Sequence, residues 1–183
     1  MFSEEYYDSV AQCADFHKKN KTWSGKATFQ YAEEIKKLVI KHSAISLLDY
    51  GCGKGLHYEP SSHIKIDGKT FDDWLGIDSI YLYDPCVEGL DKLPPPNSKF
   101  DAVIAIQCLT AVPDKDFDTV VEYLMSVTSK FCFIGNSNLN SSVKSKKLIT
   151  NQQFFKETRD HAWWQNKFKN WKNSDLVLYF LPE

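Results

Sequence analysis

The run Leu47-Leu48-Asp49-Tyr50-Gly51-Cys52-Gly53-Lys54-Gly55 ends an apolar stretch in a carboxylate and follows it with three glycines at alternate positions. The stretch from Ile45 to Leu48 reads as a buried parallel strand. Glycines just beyond such a strand let the backbone approach a ligand closely, because no Cβ stands in the way. A carboxylate at the strand tip accepts hydrogen bonds from an ammonium or a hydroxyl. The expected chemistry is recognition of a ligand that bears an ammonium, with turn N–H groups available to its carboxylate. An ordinary glycine turn between two elements has the same local sequence.

Spacing argues against two related patterns. A dinucleotide-binding turn needs G-x-G-x-x-G, but here the third glycine comes one residue early, at Gly55, and Leu56 holds its place. A P-loop needs Lys followed by Ser or Thr, and Lys54 is followed by Gly55. A second strand, Ile80 to Tyr83, runs into Asp84-Pro85. An acid in that place can hold both hydroxyls of a ribose. The segment Phe100-Asp101-Ala102-Val103-Ile104-Ala105-Ile106-Gln107-Cys108-Leu109 then reads as a strand buried on both faces, leading through Pro113 into an amphipathic helix.

In this order the three segments resemble the class I S-adenosylmethionine (SAM)-dependent methyltransferases over roughly residues 26–135. Asp49 to Gly55 is similar to that family's glycine motif, and Asp84 to its ribose-binding acid. Phe100 to Pro113 is similar to the strand often written FDxVxxxxVLEHxP. The resemblance implies a Rossmann-like α/β fold with a mostly parallel sheet, and SAM as cofactor with S-adenosylhomocysteine as product. It also implies a cofactor site built from Asp49, Gly51, Cys52, Gly53, Gly55, Asp84, Pro85, Gln107 and Cys108. Trp23, beside Gly25, and Tyr58, just past the turn, are added as residues that could cover or line it.

Two departures matter. Only residues 85–99, including Pro94-Pro95-Pro96, separate Asp84 from Phe100, too few for a full helix and a strand. The sheet is therefore expected to lack most of its third-strand edge, where relatives hold the adenine. Relatives also carry an acid and a histidine after the fourth strand, where this chain has Gln107, Thr110 and Ala111. No general base carries over. His57, His161 and, less readily, Tyr58 are the substitutes, since a hydroxyl or ammonium acceptor must lose a proton. His57 reads more readily as a partly exposed loop residue, and His161 as a structural or solvated histidine.

The positioning elements follow from periodicity. Residues 3–19 read as a helix opening at Ser3, with Glu4 and Glu5 in its first turn. Trp23-Ser24-Gly25 reads as a turn, and residues 26–42 as a second helix; Trp23 and the first helix are expected to form an N-terminal lid. After Gly55 a long helix is interrupted by Pro60-Ser61-Ser62, leaving a short piece from Phe71 to Leu75. Asp114 is expected to cap a helix whose inner stripe is Phe117, Val120, Val121, Leu124 and Val127 or Thr128. Phe131 to Ile134 is the next strand, and residues 176–181 a closing one.

The chain of 183 residues is 43% hydrophobic, enough for one core, and no linker divides it. It is expected to form a single domain: residues 1–42 helical, 43–136 the cofactor core, 137–183 a basic aromatic segment facing the substrate. Five widely spaced cysteines without a C-x-x-C suit reduced thiols. With no apolar signal core and no membrane-length apolar run, a cytoplasmic location and no membrane partner are expected. No metal site is expected.

Net charge is −2, yet residues 141–175 carry +5 and six Phe or Trp side chains. Three functions follow as expectations. The leading one is methyl transfer to an O or N atom of a small molecule or glycan. A nucleic-acid methyltransferase is favoured less, because the chain is acidic overall and has a single arginine, Arg159. The third is a non-catalytic module of the same fold.

Overall fold

Alternation along the strands sets the architecture. In β1 (Ser46–Tyr50), β2 (Ser79–Tyr83) and β3 (Phe100–Ile106) neighbouring residues point to opposite faces of one sheet, which β4 (Thr128–Asn136) and β5 (Leu176–Phe180) complete. The computed structural model describes residues 2–19, 23–95, 97–136, 161–170 and 176–180. The strand order is β2-β1-β3-β4-β5, and every pair is parallel. The fold is α/β with an all-parallel sheet, compatible with a Rossmann-like order from which the third strand is missing. Among the described residues no strand lies between Asp84 and Lys99, so β2 is a sheet edge.

Both sheet faces are covered, which explains why β3 is apolar at consecutive positions. On one face Leu48, Val103, Ala105, Cys132 and Ile134 pack under α4 (Asp114–Val127). The stripe Phe117, Val120, Val121, Leu124 and Val127 is at most 1% exposed, as its helical spacing predicts. On the other face Leu47, Ala102, Ile104, Phe131 and Phe133 pack under α2 (Ala32–His42) and the short α3 (Phe71–Leu75). Tyr6, from α1 (Glu4–Lys19), belongs to the α4 face.

Several boundaries differ from the expected ones. Residues 26–42 are not one α-helix: Lys26–Tyr31 is 3₁₀ and only then does α2 begin. The threefold repeat of a 3₁₀ turn stacks Thr28 and Tyr31 on the buried side. Asp114 does not cap α4; it is the first helical residue and Pro113 stands at the cap. The acid that matters there is Asp116, which accepts the Ser3 backbone N–H at 2.7 Å and the Ser3 hydroxyl, tying the start of α1 to α4. Strand β1 runs through Asp49 and Tyr50, and Ile45 lies outside it, half exposed. Strand β3 stops at Ile106, short of Leu109.

The described part of the basic aromatic segment is α5 (His161–Lys167) and a 3₁₀ turn, Phe168–Asn170. Trp164 and Phe168 are buried against Phe117, and Lys167 Nζ reaches Asp118 at 3.1 Å. Trp164 is therefore core packing for α4 rather than a platform for an acceptor. Among the described residues no helix is long and apolar enough to cross a membrane, and no cluster of His, Cys, Asp and Glu could hold a metal ion.

Candidate functional site

The chain leaves β1 to form β2 on one side and returns to form β3 on the other. In open parallel sheets ligands bind beyond the carboxyl ends of strands at such a switch point. Here those ends carry Asp49, Asp84, Gln107 and Asn136; the Asn136 side chain lies outside the described residues.

Asp49 is 1% exposed, and its two oxygens differ. Oδ2 accepts the Tyr58 hydroxyl at 3.1 Å, whereas Oδ1 has no hydrogen-bond partner among the described residues. A buried carboxylate oxygen without a donor is costly, because desolvation is not offset. His57 lies beside it, fully buried, with Nε2 3.3 Å from Asp49 Oδ2 but without the alignment of a hydrogen bond. Neither imidazole nitrogen has a partner among the described residues. Burial of Tyr58 pushes its hydroxyl well above the usual phenol range, and the nearby Asp49 charge adds to this, so it stays a donor.

The three glycines of the turn all have positive φ, 78°, 61° and 62° at Gly51, Gly53 and Gly55. The close approaches they allow are to the chain itself. A Cβ built on Gly51 would lie 2.3 Å from the Cys108 Cβ, and one on Gly53 would lie 2.3 Å from the Trp23 carbonyl oxygen. The N–H groups are committed as well. Gly51 and Cys52 donate to the Tyr83 carbonyl, Gly53 to Asp84, Lys54 to the Trp23 carbonyl at 2.8 Å, and Leu56 to the Ser24 carbonyl at 3.0 Å. Residues 23–25 form a strap laid across the turn. Gly25, at φ 93°, seals it against His57: a Cβ there would sit 1.9 Å from Nδ1.

Asp84 differs from Asp49 in being satisfied. Oδ2 accepts the Gly53 N–H at 2.8 Å and Oδ1 the Cys86 N–H at 2.9 Å. Burial pushes its pKa up to about 6, although those two donors pull the other way. Tyr6 of α1 packs in the same cluster as Tyr50 and Tyr83, at the ends of β1 and β2. Burial raises the pKa of all three hydroxyls.

At the end of β3, Gln107 takes a left-handed backbone, φ 56°, uncommon for a residue with a Cβ. Its N–H donates to the Gly135 carbonyl at 2.8 Å, and Nε2 approaches the Tyr31 hydroxyl at 3.4 Å. Cys108 donates its thiol to the Tyr50 carbonyl at 3.1 Å, filling the space between β1 and β3.

The structure thus brings Asp49, Gly51, Cys52, Gly53, Gly55, Tyr58, Asp84, Gln107, Cys108 and the Trp23 backbone to one end of the sheet. Pro85, partly exposed, follows Asp84 at the same end. His57 is there too, but fully buried behind the turn and sealed by Gly25. His161 opens α5, and its side chain lies outside the described residues. The Trp23 ring packs on Phe16 and His17, at 4.4 and 4.7 Å between centroids.

Sequence reading missed Tyr6, Gly25 and Cys86, all at the same end. A tyrosine in the first turn of a helix, or a glycine in a turn, carries no local sign of a contact made far along the chain.

No protein-family model, curated protein or solved structure matches the chain. The donor set is therefore weighed on its own chemistry. The open oxygen of Asp49 fits an ammonium, and the two acceptor oxygens of Asp84 retain lone pairs for a diol. The turn N–H groups fit a ligand carboxylate only if the strap at 23–25 lifts, which frees Lys54 and Leu56.

Proposed function

We propose that the chain binds SAM across the ends of β1 and β2, and transfers its methyl group to an O or N atom of a small molecule or glycan. The observation that carries this reading is the buried Asp49 carboxylate, with one oxygen held by Tyr58 and the other without a donor. Asp49 would hold the ammonium and Asp84 the ribose hydroxyls. Lys54 and Leu56 N–H groups would take the carboxylate once the strap has moved. When bound, SAM supplies a methyl group activated by an adjacent sulfonium.

The protein's part is placement and exclusion of water, since such a displacement needs an in-line approach more than covalent help. Tyr58 fixes the rotamer of Asp49, and the strap covers the turn. Gln107, Cys108 and Gly51 close the gap between β1 and β3 and so define the wall against which an acceptor would be aligned.

A second reading has its own support. Every N–H from Gly51 to Leu56 is already bonded within the chain. That saturation favours a non-catalytic module, which keeps the strap closed and serves a partner.

Calorimetric titration with S-adenosylhomocysteine separates the two, with NAD and Asp84→Ala as controls. Micromolar binding that NAD does not reproduce and that Asp84→Ala loses supports the enzyme, and an acceptor screen beginning with sugars and small metabolites follows. Absence of binding by folded protein supports the module. A salt-sensitive gel shift with RNA or DNA would redirect the acceptor search to nucleic acid.

A further inference from the structure

A strand in a parallel ladder turns the N–H and C=O of one residue to one side and those of the next to the other. In β2 the Ser79 N–H donates to the Ile45 carbonyl, and the Tyr83 carbonyl accepts the Gly51 N–H. Ser79, Tyr81 and Tyr83 therefore face β1, and Ile80 and Leu82 turn their backbone groups outward. Among the described residues nothing bonds to those outward groups. The return of the chain towards β3 passes elsewhere. Lys92 and Pro94 offer their carbonyls to the Tyr81 and Tyr123 hydroxyls, at 3.1 and 3.3 Å, on the face covered by α4.

Exposed edges are commonly blunted by a lysine, a proline or a bulge. The register of β2 on β1 is unbroken, and Ser79-Ile80-Tyr81-Leu82-Tyr83 holds neither lysine nor proline. Ile80 and Leu82 are half-buried on the α2 face, so part of each side chain is left for a neighbour to cover.

Charge selects that neighbour. From Thr70 to Asp91 the sequence holds six acids and no Lys, Arg or His. Asp73 and Asp78 are exposed before β2 and Glu88 and Asp91 beyond it, with no ion pair among the described residues. Of the nearby cations, Lys36 is laid over the Trp74 ring at 3.9 Å, and Lys92 follows Asp91. A second copy paired edge to edge about a two-fold axis would set Asp78 against the acidic end of the other β2, like charge on like.

We propose that the outer edge of β2 takes up an extended basic segment of a partner protein as one more strand. The partner's main chain bonds to the N–H and C=O groups of Ile80 and Leu82, and its alternate apolar side chains cover theirs. Its lysines or arginines meet Asp73, Asp78, Glu88 and Asp91. The interaction needs no cofactor and is independent of the SAM reading.

The test titrates the full-length chain with a synthetic peptide of about eight residues, alternating lysine and valine, and follows amide hydrogen exchange. In the free monomer the Ile80 and Leu82 N–H groups are expected to exchange fast, and those of Tyr81 and Tyr83, bonded to β1, slowly. Saturating peptide should slow Ile80 and Leu82 about tenfold or more, and a peptide with glutamate for lysine should not. Ile80→Pro removes an outward donor while keeping the bonds to β1, and should weaken the peptide about fivefold or more. Asp78→Lys combined with Glu88→Lys, both at exposed positions, should weaken it about tenfold, and decides the matter if the proline variant fails to fold. Slow exchange of Ile80 and Leu82 in the free monomer would mean that the chain covers its own edge, and overturns the proposal. So does a concentration-dependent dimer that protects them, which assigns the edge to a second copy. Unchanged exchange at saturating peptide, or equal protection by the glutamate peptide, overturns it as well.

Discussion

Two carboxylates stand at the ends of neighbouring strands, and the chain treats them differently. Asp84 has both oxygens on backbone N–H groups, which stitch the loop after β2 to the glycine turn. Asp49 has one oxygen on Tyr58 and one without a donor, beside a histidine whose nitrogens also lack a hydrogen bond among the described residues. A satisfied buried acid stabilises its surroundings; an unsatisfied one costs stability and persists where something else needs it. The difference shows Asp84 in an architectural role; under the proposed cofactor reading Asp84 also meets the ribose, and the open oxygen of Asp49 is the one kept for the ligand's ammonium. It separates two acids that sequence alone treats alike.

The sharpest way to break this comparison is to press on the strap that seals His57, beside Asp49. Gly25→Ala combines a positive φ with a collision against His57, and is expected to destabilise the protein by about 3 kcal/mol in urea unfolding. Gly68→Ala, with positive φ but nothing within 4 Å, should cost only about 1 kcal/mol. Equal costs would mean that the strap does not press on His57.

Removing the satisfied acid should follow in size. Asp84→Ala leaves the Gly53 and Cys86 N–H groups without their acceptor, at an expected cost of about 2 kcal/mol. Asp49→Asn, which keeps an acceptor for Tyr58, should cost less than about 1 kcal/mol. The reverse ranking would undo the assignment of roles.

The pH dependence comes next. Asp84 has a folded-state pKa near 6, above its ordinary 3.8, so ionising it opposes folding. Its contribution to stability is complete below 3.8 and is lost as pH rises through about 6. His17 of α1 has the opposite sign. Burial, aided by the nearby Lys54 charge, lowers its pKa to about 4, so its contribution is present above 6.5 and lost as pH falls through about 4. Comparing wild type with Asp84→Asn cancels His17. Between roughly pH 4 and pH 7 the wild type should lose about 1–2 kcal/mol relative to the variant. A constant difference would place Asp84 in a more polar setting than its burial implies.

The smallest effect concerns the far end of α1. Ser3→Ala removes the hydroxyl bond to Asp116 and the Ser3 contact to the Tyr6 N–H, and should cost about 1 kcal/mol in urea unfolding.

Much of the fold was legible because its signals are local. The double-faced apolar run of β3, the stripe of α4 and the shortness of 85–99 each report on a buried strand, a packed helix and a missing edge strand. The glycine spacing located the turn, but not what fills it. Gly53 reads the same whether a ligand or the Trp23 carbonyl approaches it, since either needs the absent Cβ. His57 looked like an exposed loop residue, and only the fold of residues 23–25 onto the turn buries it. Asp114 was the better cap by type, yet the chain spends its buried acid at Asp116 because α1 arrives there. Contacts of this kind join distant parts of the chain and leave no periodicity.

The most direct test is calorimetric titration of wild type and Asp49→Asn with S-adenosylhomocysteine near pH 7, alongside their urea unfolding curves. Binding by the wild type, weakened about 100-fold or more in a variant of near-equal stability, is the predicted result. Equal affinity in the two proteins, or Asp49→Asn as destabilised as Asp84→Ala, would contradict the claim that the open oxygen of Asp49 is kept for a ligand.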